Sequence, residues 1–428
     1  MKRRFSLFLI ALVSLSLSLS GCILTSRTEK VTDLMAEVHA AERPAVQNLP
    51  DEATRKAINR FSADLYKASA GHQGNVLISP ASVYLALAMT LNGADGETKT
   101  AMLKVLADQG ITVDQINQAC RDWMDQLSNT KGKTTLTIAN SIWFGQNFTP
   151  FKPFLQRNAD FYAAEVRQLD FKDKNTPSLI NDWVKKSTHG NIDKIVDSIE
   201  PDVVMYLINA IYFKSDWQTP FAKIDTRKQT FNTPNGTIET EFMHQIGKMS
   251  YFSGSGATGV SLPYEDEHYA FFALLPEEQT TPREWLAKRD RTTMLEDIAG
   301  LMVQKTNSTV QLALPKFETS YEDSLRDELS HLGMQIAFDP KYADFSQMTE
   351  KQTKDLYISE VKHKSFLRVD EKGTEAAAVT SVEMTKSGMP VTARKLIFDR
   401  PFLYGIMDLQ TGLPLFLGIM ENPKPSQT

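Results

Sequence analysis

Residues 203–213, Val-Val-Met-Tyr-Leu-Ile-Asn-Ala-Ile-Tyr-Phe, form an apolar run rich in β-branched and aromatic side chains. The run reads as a strand long enough to cross a large sheet. A second strand reads at 136–144, and others follow at 237–243, 259–262, 269–275, 310–315, 365–370, 396–398, 402–408 and 415–421. Helical spacing dominates before and between them. Ala57, Phe61, Leu65 and Ala68 repeat along 51–70; Ile116, Ala119, Cys120, Trp123 and Leu127 repeat further on. Ser79-Pro80 caps a helix through Leu91 that is apolar on nearly every side and so belongs inside the protein. Further helices read at 97–106, 154–162, 178–188 and 322–332. Helices early and strands late define an α+β chain with large antiparallel or mixed sheets.

The N-terminus starts Met1-Lys2-Arg3-Arg4, continues with an apolar, Ser/Leu-rich stretch to Leu19, and reaches Leu19-Ser20-Gly21-Cys22. This is an export signal rather than a spanning helix. Leu-Ser-Gly-Cys resembles the lipobox of bacterial lipoproteins, which implies removal of residues 1–21, acylation of Cys22 and attachment to a membrane through lipid. A plain secretory signal with an incidental Cys22 is the alternative. Residues 22–50 are polar and aperiodic and read as a tether; 51–428 reads as the folded domain. With Cys22 lipidated, Cys120 has no disulfide partner, and its helical setting makes it a buried structural thiol. The net charge of −5 is spread along the chain, so no nucleic-acid surface is expected.

Motifs for catalysis fail on spacing. Ser359-Glu-Val-Lys362 matches the Ser-x-x-Lys box of penicillin-binding enzymes, and Lys386-Ser387-Gly388 their later Lys-Thr-Gly box. In that family a whole helical region separates the two, whereas here fewer than about thirty residues do. There is no Gly-x-Ser-x-Gly or His-Glu-x-x-His, and none of the seven histidines stands at ligand spacing from another His or a Cys. His363 reads as a hydrogen-bonded structural residue. No cofactor, no metal and no enzymatic activity are expected.

Glu371-Lys-Gly-Thr-Glu-Ala-Ala-Ala-Val-Thr380 separates by parity. Thr374, Ala376, Ala378, Thr380, Val382 and Met384 would share one face of a strand, with Glu375 and Glu383 on the other. Gly373 would give the backbone freedom to swing. Taken alone the segment is equally an edge strand or a flexible surface loop.

Together with four other motifs it resembles the serpins, over about residues 51–423. Asn75 through Thr98 is similar to that family's second helix, with Ser79 and Ser82 beneath the opening of its main sheet. Leu207 through Trp217 is similar to the strand and turn that end in a tryptophan at the top of that sheet. Ile358 through Lys364 leads into Glu371-Lys-Gly-Thr-Glu-Ala-Ala-Ala378, and 400–404 and 411–418 resemble the closing strands.

The resemblance implies a serpin fold of about nine helices and three β-sheets with an exposed reactive loop. Its hinge would be Glu371, Gly373, Thr374, Glu375, Ala376, Ala377 and Ala378. Ser79, Ser82, Asn209, Trp217 and His363 would guard the opening of the sheet. Asn191 replaces a usual lysine, and Arg368 stands where an acid is frequent. The implied activity is suicide inhibition of serine, and also cysteine, proteases by a monomer.

Lys386 is the one basic residue between Lys372 and Arg394, which places the cut for a trypsin-like protease at Lys386-Ser387. Counting from the hinge gives Ser387-Gly388, and Met384-Thr385 would serve an elastase- or subtilisin-like enzyme. Two further readings remain: a non-inhibitory serpin that carries a ligand, and a surface lipoprotein hydrolase. Location would be a bacterial outer membrane, cell surface or periplasm.

Overall fold

The apolar run at 203–213 becomes the spine of the main sheet. The computed structural model describes residues 31–42, 49–107, 110–128, 132–200, 203–303, 307–374 and 393–423. In chain order the main-sheet strands are β1 (Thr32–Asp33), β2 (Thr135–Gly145), β3 (Glu165–Leu169), β4 (Met205–Asp216), β5 (Phe317–Ser324), β6 (Glu360–Val369) and β7 (Gly373–Thr374). Their spatial order is β1-β3-β2-β4-β7-β6-β5. Strand β4 runs antiparallel to β2 and parallel to β6, with 206–211 facing 360–365. Beyond Ile211 and Ser365 the two parallel strands part, and β7 enters antiparallel to both.

Successive side chains of β4 serve two cores, as a strand buried on both faces requires. Met205, Leu207, Ile211 and Phe213 pack into the large core, whereas Tyr206, Ile208 and Ala210 pack with Ile180, Trp183 and Val184 in a second. The second core lies under helix Thr176–Ser187, and the first holds helix Pro80–Leu91. Every residue of Pro80–Leu91 is buried, and Ser79 caps it by accepting from the Ser82 amide.

The other strands form one network: Arg394–Ile397, Asn307–Pro315, Gly236–Gly254, Ala257–Pro263, Tyr269–Pro276, Phe402–Asp408, Pro414–Met420 and Val76–Ile78, with Arg227–Thr233 beside Gly236–Gly254. Two of the three expected sheets are thus continuous among the described residues, joined by the 19-residue strand Gly236–Gly254. Nine α-helices occur among the described residues.

Two local expectations are corrected. The helix read at 322–332 gives way to β5, which runs to Ser324 because Phe317, Thr319 and Tyr321 alternate inward at period two. Only a one-turn helix, Arg326–Leu329, and a π turn through Met334 follow. The stretch read as a tether is not bare throughout. Strand β1 adds to the sheet edge at β3, while Leu34, Met35 and Val38 rest on the core. The Ala41 amide donates to Asp160 Oδ1 at 2.8 Å.

Candidate functional site: the seam between β4 and β6

Midway along the seam, Asn140, Asn209 and His363 occupy one rung across β2, β4 and β6. Asn209 Nδ2 donates to Asn140 Oδ1 at 2.5 Å, and His363 Nδ1 lies 2.8 Å from Asn209 Oδ1. His363 Nε2 accepts the Ser79 amide at 3.2 Å, so the ring proton belongs on Nδ1 and is donated to Asn209. Burial pushes the imidazole down to about 3, which keeps it neutral. Two residues on, the Ser365 hydroxyl donates to the Leu77 carbonyl at 2.6 Å. Strand β6 is therefore fastened to the start of helix Pro80–Leu91. Ser82 Oγ is buried without a partner among the described residues.

Ser359 and Lys362 do not build a nucleophile. Ser359 Oγ accepts the Val204 amide at 3.1 Å, and Lys362 Nζ stands 3.8 Å from Glu360.

At the top of the seam Thr374 faces Val369 on one side and Ser215 on the other. Its side chain is fully buried, with Oγ1 2.6 Å from the Tyr264 hydroxyl. The Tyr264 ring stacks on Trp217 at 4.7 Å between centroids. Trp217 holds the turn before β7: its amide donates to the Lys372 carbonyl at 2.7 Å and its indole to the Asp370 carbonyl at 2.9 Å. Gly373 is demanded by space, since a Cβ there would lie 2.1 Å from the Ser215 carbonyl oxygen. Only a residue without a Cβ permits that close approach.

Glu371 anchors the same turn. Its carboxylate accepts from the Thr226 hydroxyl at 2.9 Å and lies 3.2 Å from Lys316 Nζ. Burial alone would raise this carboxyl, but hydrogen bonds from its own backbone, Thr226 and Lys316 together hold it below the usual range. Arg368 pairs across the strands with Glu318, its Nε at 2.8 Å. Asn191 Nδ2 donates to the Thr188 carbonyl at 3.2 Å, closing the turn after helix Thr176–Ser187 locally. Cys120 is fully buried, and its thiol is pushed up to about 12 by that burial.

The structure gathers the named residues into two groups: Ser79, Ser82, Asn209 and His363 at mid-seam, and Trp217, Glu371, Gly373 and Thr374 at its upper end. Cys22, Glu375, Ala376, Ala377, Ala378, Met384, Thr385, Lys386, Ser387 and Gly388 lie outside the described residues. Sequence reading did not single out Asn140, Thr226, Tyr264 and Lys316. For Asn140 a signal existed, a polar residue inside the apolar strand at 136–144. The other three carry no local mark.

The main sheet is thus a seven-stranded mixed sheet whose central parallel pair is met at its upper end by a short antiparallel strand. The family model "Serpin (serine protease inhibitor)" matches residues 56–423, and the chain belongs to the serpin family. An uncharacterized serpin-like protein of Thermococcus kodakarensis is 35% identical over 376 residues, covering 86% of this chain and 85% of its own. Leukocyte elastase inhibitor of Bos taurus is 32% identical, covering 87% of this chain and all of its own. The crystal structure of the thermophilic serpin tengpin in its native state is 39% identical, with a TM-score of 0.85 over 92% of this chain and 100% of its own. The latent state of the same protein, covering 89% of this chain and 100% of its own, gives 0.76.

Proposed function

We propose that this chain is an irreversible suicide-substrate inhibitor of serine proteases, with trypsin-like enzymes as its main class of target. One observation carries the reading: β7 stands between β4 and β6, antiparallel to both, with the Thr374 side chain in the core. A strand extended in the direction of Gly373–Thr374 would run down the seam. A protease that attacks the loop forms an acyl-enzyme. The freed strand then replaces the single β4–β6 pairing at 206–211 and 360–365 by two antiparallel pairings.

The path runs from Thr374 to Lys386. About a dozen residues at roughly 3.3 Å each carry the acylated protease tens of ångströms, across the whole domain. In the inserted strand, even-numbered residues would follow Thr374 toward the core, and none of the even-numbered residues from Ala376 to Met384 is charged. The trap is kinetic: strain held in the native sheet is released by loop insertion.

Lys386-Ser387 is the proposed scissile bond, with Ser387-Gly388 and Met384-Thr385 as alternatives for other proteases, cysteine proteases among them. Incubation with trypsin should give a complex stable in SDS and a C-terminal fragment starting at Ser387. Cleavage with no complex contradicts inhibition, and a fragment starting elsewhere moves the bond. We further propose that Cys22 is acylated and holds the protein at a bacterial membrane surface. Labelled palmitate should enter the wild type and not Cys22→Ala; equal incorporation removes the anchor.

A further inference from the structure

Far from the seam in sequence, three side chains on three elements converge at the outer edge of the main sheet. His72 lies in the loop after helix Glu52–Ser69, Asp323 near the end of β5, and Glu328 in the one-turn helix Arg326–Leu329. Their ligand atoms all fall within 4.8 Å of one another. His72 Nε2 is 2.7 Å from Glu328 Oε1 and 3.4 Å from Asp323 Oδ2.

A second observation points to a missing partner. Glu328 is 6% exposed, and its other carboxylate oxygen, Oε2, is buried with no hydrogen-bond partner among the described residues. A buried carboxylate oxygen left unpaired is costly unless something binds it.

We propose that His72, Asp323 and Glu328 form a binding site for a divalent transition-metal ion, with zinc the best match. An imidazole with two carboxylates is a donor set zinc accepts, and magnesium or calcium, which prefer oxygen alone, would gain less from it. Zinc bonds of about 2.0–2.1 Å in a tetrahedron place ligand atoms about 3.3 Å apart. The His72–Asp323 separation meets that value, and the His72–Glu328 pair opens by roughly half an ångström once the metal replaces the shared proton. Binding therefore releases the proton that bridges His72 and Glu328.

The Tyr321 hydroxyl donates to Asp323 Oδ2 at 2.6 Å and orients that carboxylate from behind. The nearby Arg283 guanidinium is committed to the Ala70 and Gly74 carbonyls and to Glu421. His72 is half exposed, which leaves an entry path and a fourth position for water. An ion held here ties the loop at 72 to the edge strand β5. Local spacing could not reveal the site, because His72 is 256 residues from Glu328 in the chain.

The test is isothermal titration calorimetry of the metal-stripped full chain with zinc chloride. The expected result is one ion per chain, binding at least tenfold weaker in both His72→Gln and Asp323→Asn, and unchanged in the control His244→Gln. Absence of binding overturns the proposal, as does binding that survives unchanged in His72→Gln. Loss in His244→Gln alone places the ion elsewhere and overturns it equally.

Discussion

The hydroxyls of Thr374 and Tyr264 lie 2.6 Å apart in the core, four residues beyond the point where β4 and β6 part. This contact fixes the face that Thr374 presents. Thr374 stands opposite Ser215, whose odd-numbered neighbours on β4 face the large core, so Thr374 faces it too. In the inserted strand proposed above, period two would send 376, 378 and 380 the same way. Burial pushes the Tyr264 phenol well up, so it remains a neutral partner.

Thr374→Arg puts a cation where a fully buried hydroxyl now sits. An unpaired buried charge costs about 3–5 kcal/mol, enough to stall insertion at its first residue. Trypsin should still cut the loop, but the yield of SDS-stable complex should fall at least tenfold. Undiminished complex formation would contradict the insertion route.

Gly373→Ala drives a methyl group into the Ser215 carbonyl. Overpacking of this kind costs about 1–3 kcal/mol and should expel β7 from the seam. The second-order rate of trypsin inhibition should fall by about tenfold, with the cleavage position unchanged. An unaltered rate would mean that the stub at Gly373–Thr374 is not the start of the insertion path.

His363 gives the sheet a sensitivity to acid. Its folded-state value of about 3 lies below the ordinary 6.5, so the stability it contributes is complete above pH 6.5 and is lost progressively as the pH falls toward about 3. Protonation of Nε2 would also break the bond from the Ser79 amide. Opening of the seam, followed by binding of a hydrophobic dye, should accelerate between pH 6.5 and about 5. His363→Gln should flatten this limb; identical pH slopes in both proteins would assign it to other groups.

Lys364 on β6 latches the loop at Lys194 and strand β5. Its Nζ donates to the Lys194 carbonyl and to Glu322, both at 2.6 Å. Beside that loop lies a cavity of about 450 Å³ lined by Ile195, Val203, Tyr206, Glu322 and Lys362. Lys364→Met keeps the aliphatic stem and removes the latch. Spontaneous conversion to an inserted form on warming should speed up roughly twofold to fivefold, matching an ion pair worth up to about 1 kcal/mol. A slower conversion would show that the latch does not restrain the sheet.

Much of this was legible in the sequence because the signals are local. The cap at Ser79, the all-apolar helix behind it and the long run that became β4 all follow from neighbouring residues. What escaped depends on partners distant in the chain. Lys316 meets Glu371, Tyr264 meets Thr374 and Arg368 meets Glu318 only once the sheets are assembled. The close approach at Gly373 escaped for the same reason: its neighbour is the carbonyl of Ser215, on a strand more than 150 residues earlier. Strand β5 was missed because its polar, outward-facing residues resemble an exposed helix until the inward set, Phe317, Thr319 and Tyr321, is read at period two.

The central claim is that the cut loop becomes a strand between β4 and β6, and the crystal structure of the trypsin-cleaved chain tests it most directly. The prediction is residues 374–386 lying between the two strands, with His363 no longer opposite Asn209. A cleaved structure in which 206–211 still faces 360–365, with the cut loop outside the sheet, would contradict it.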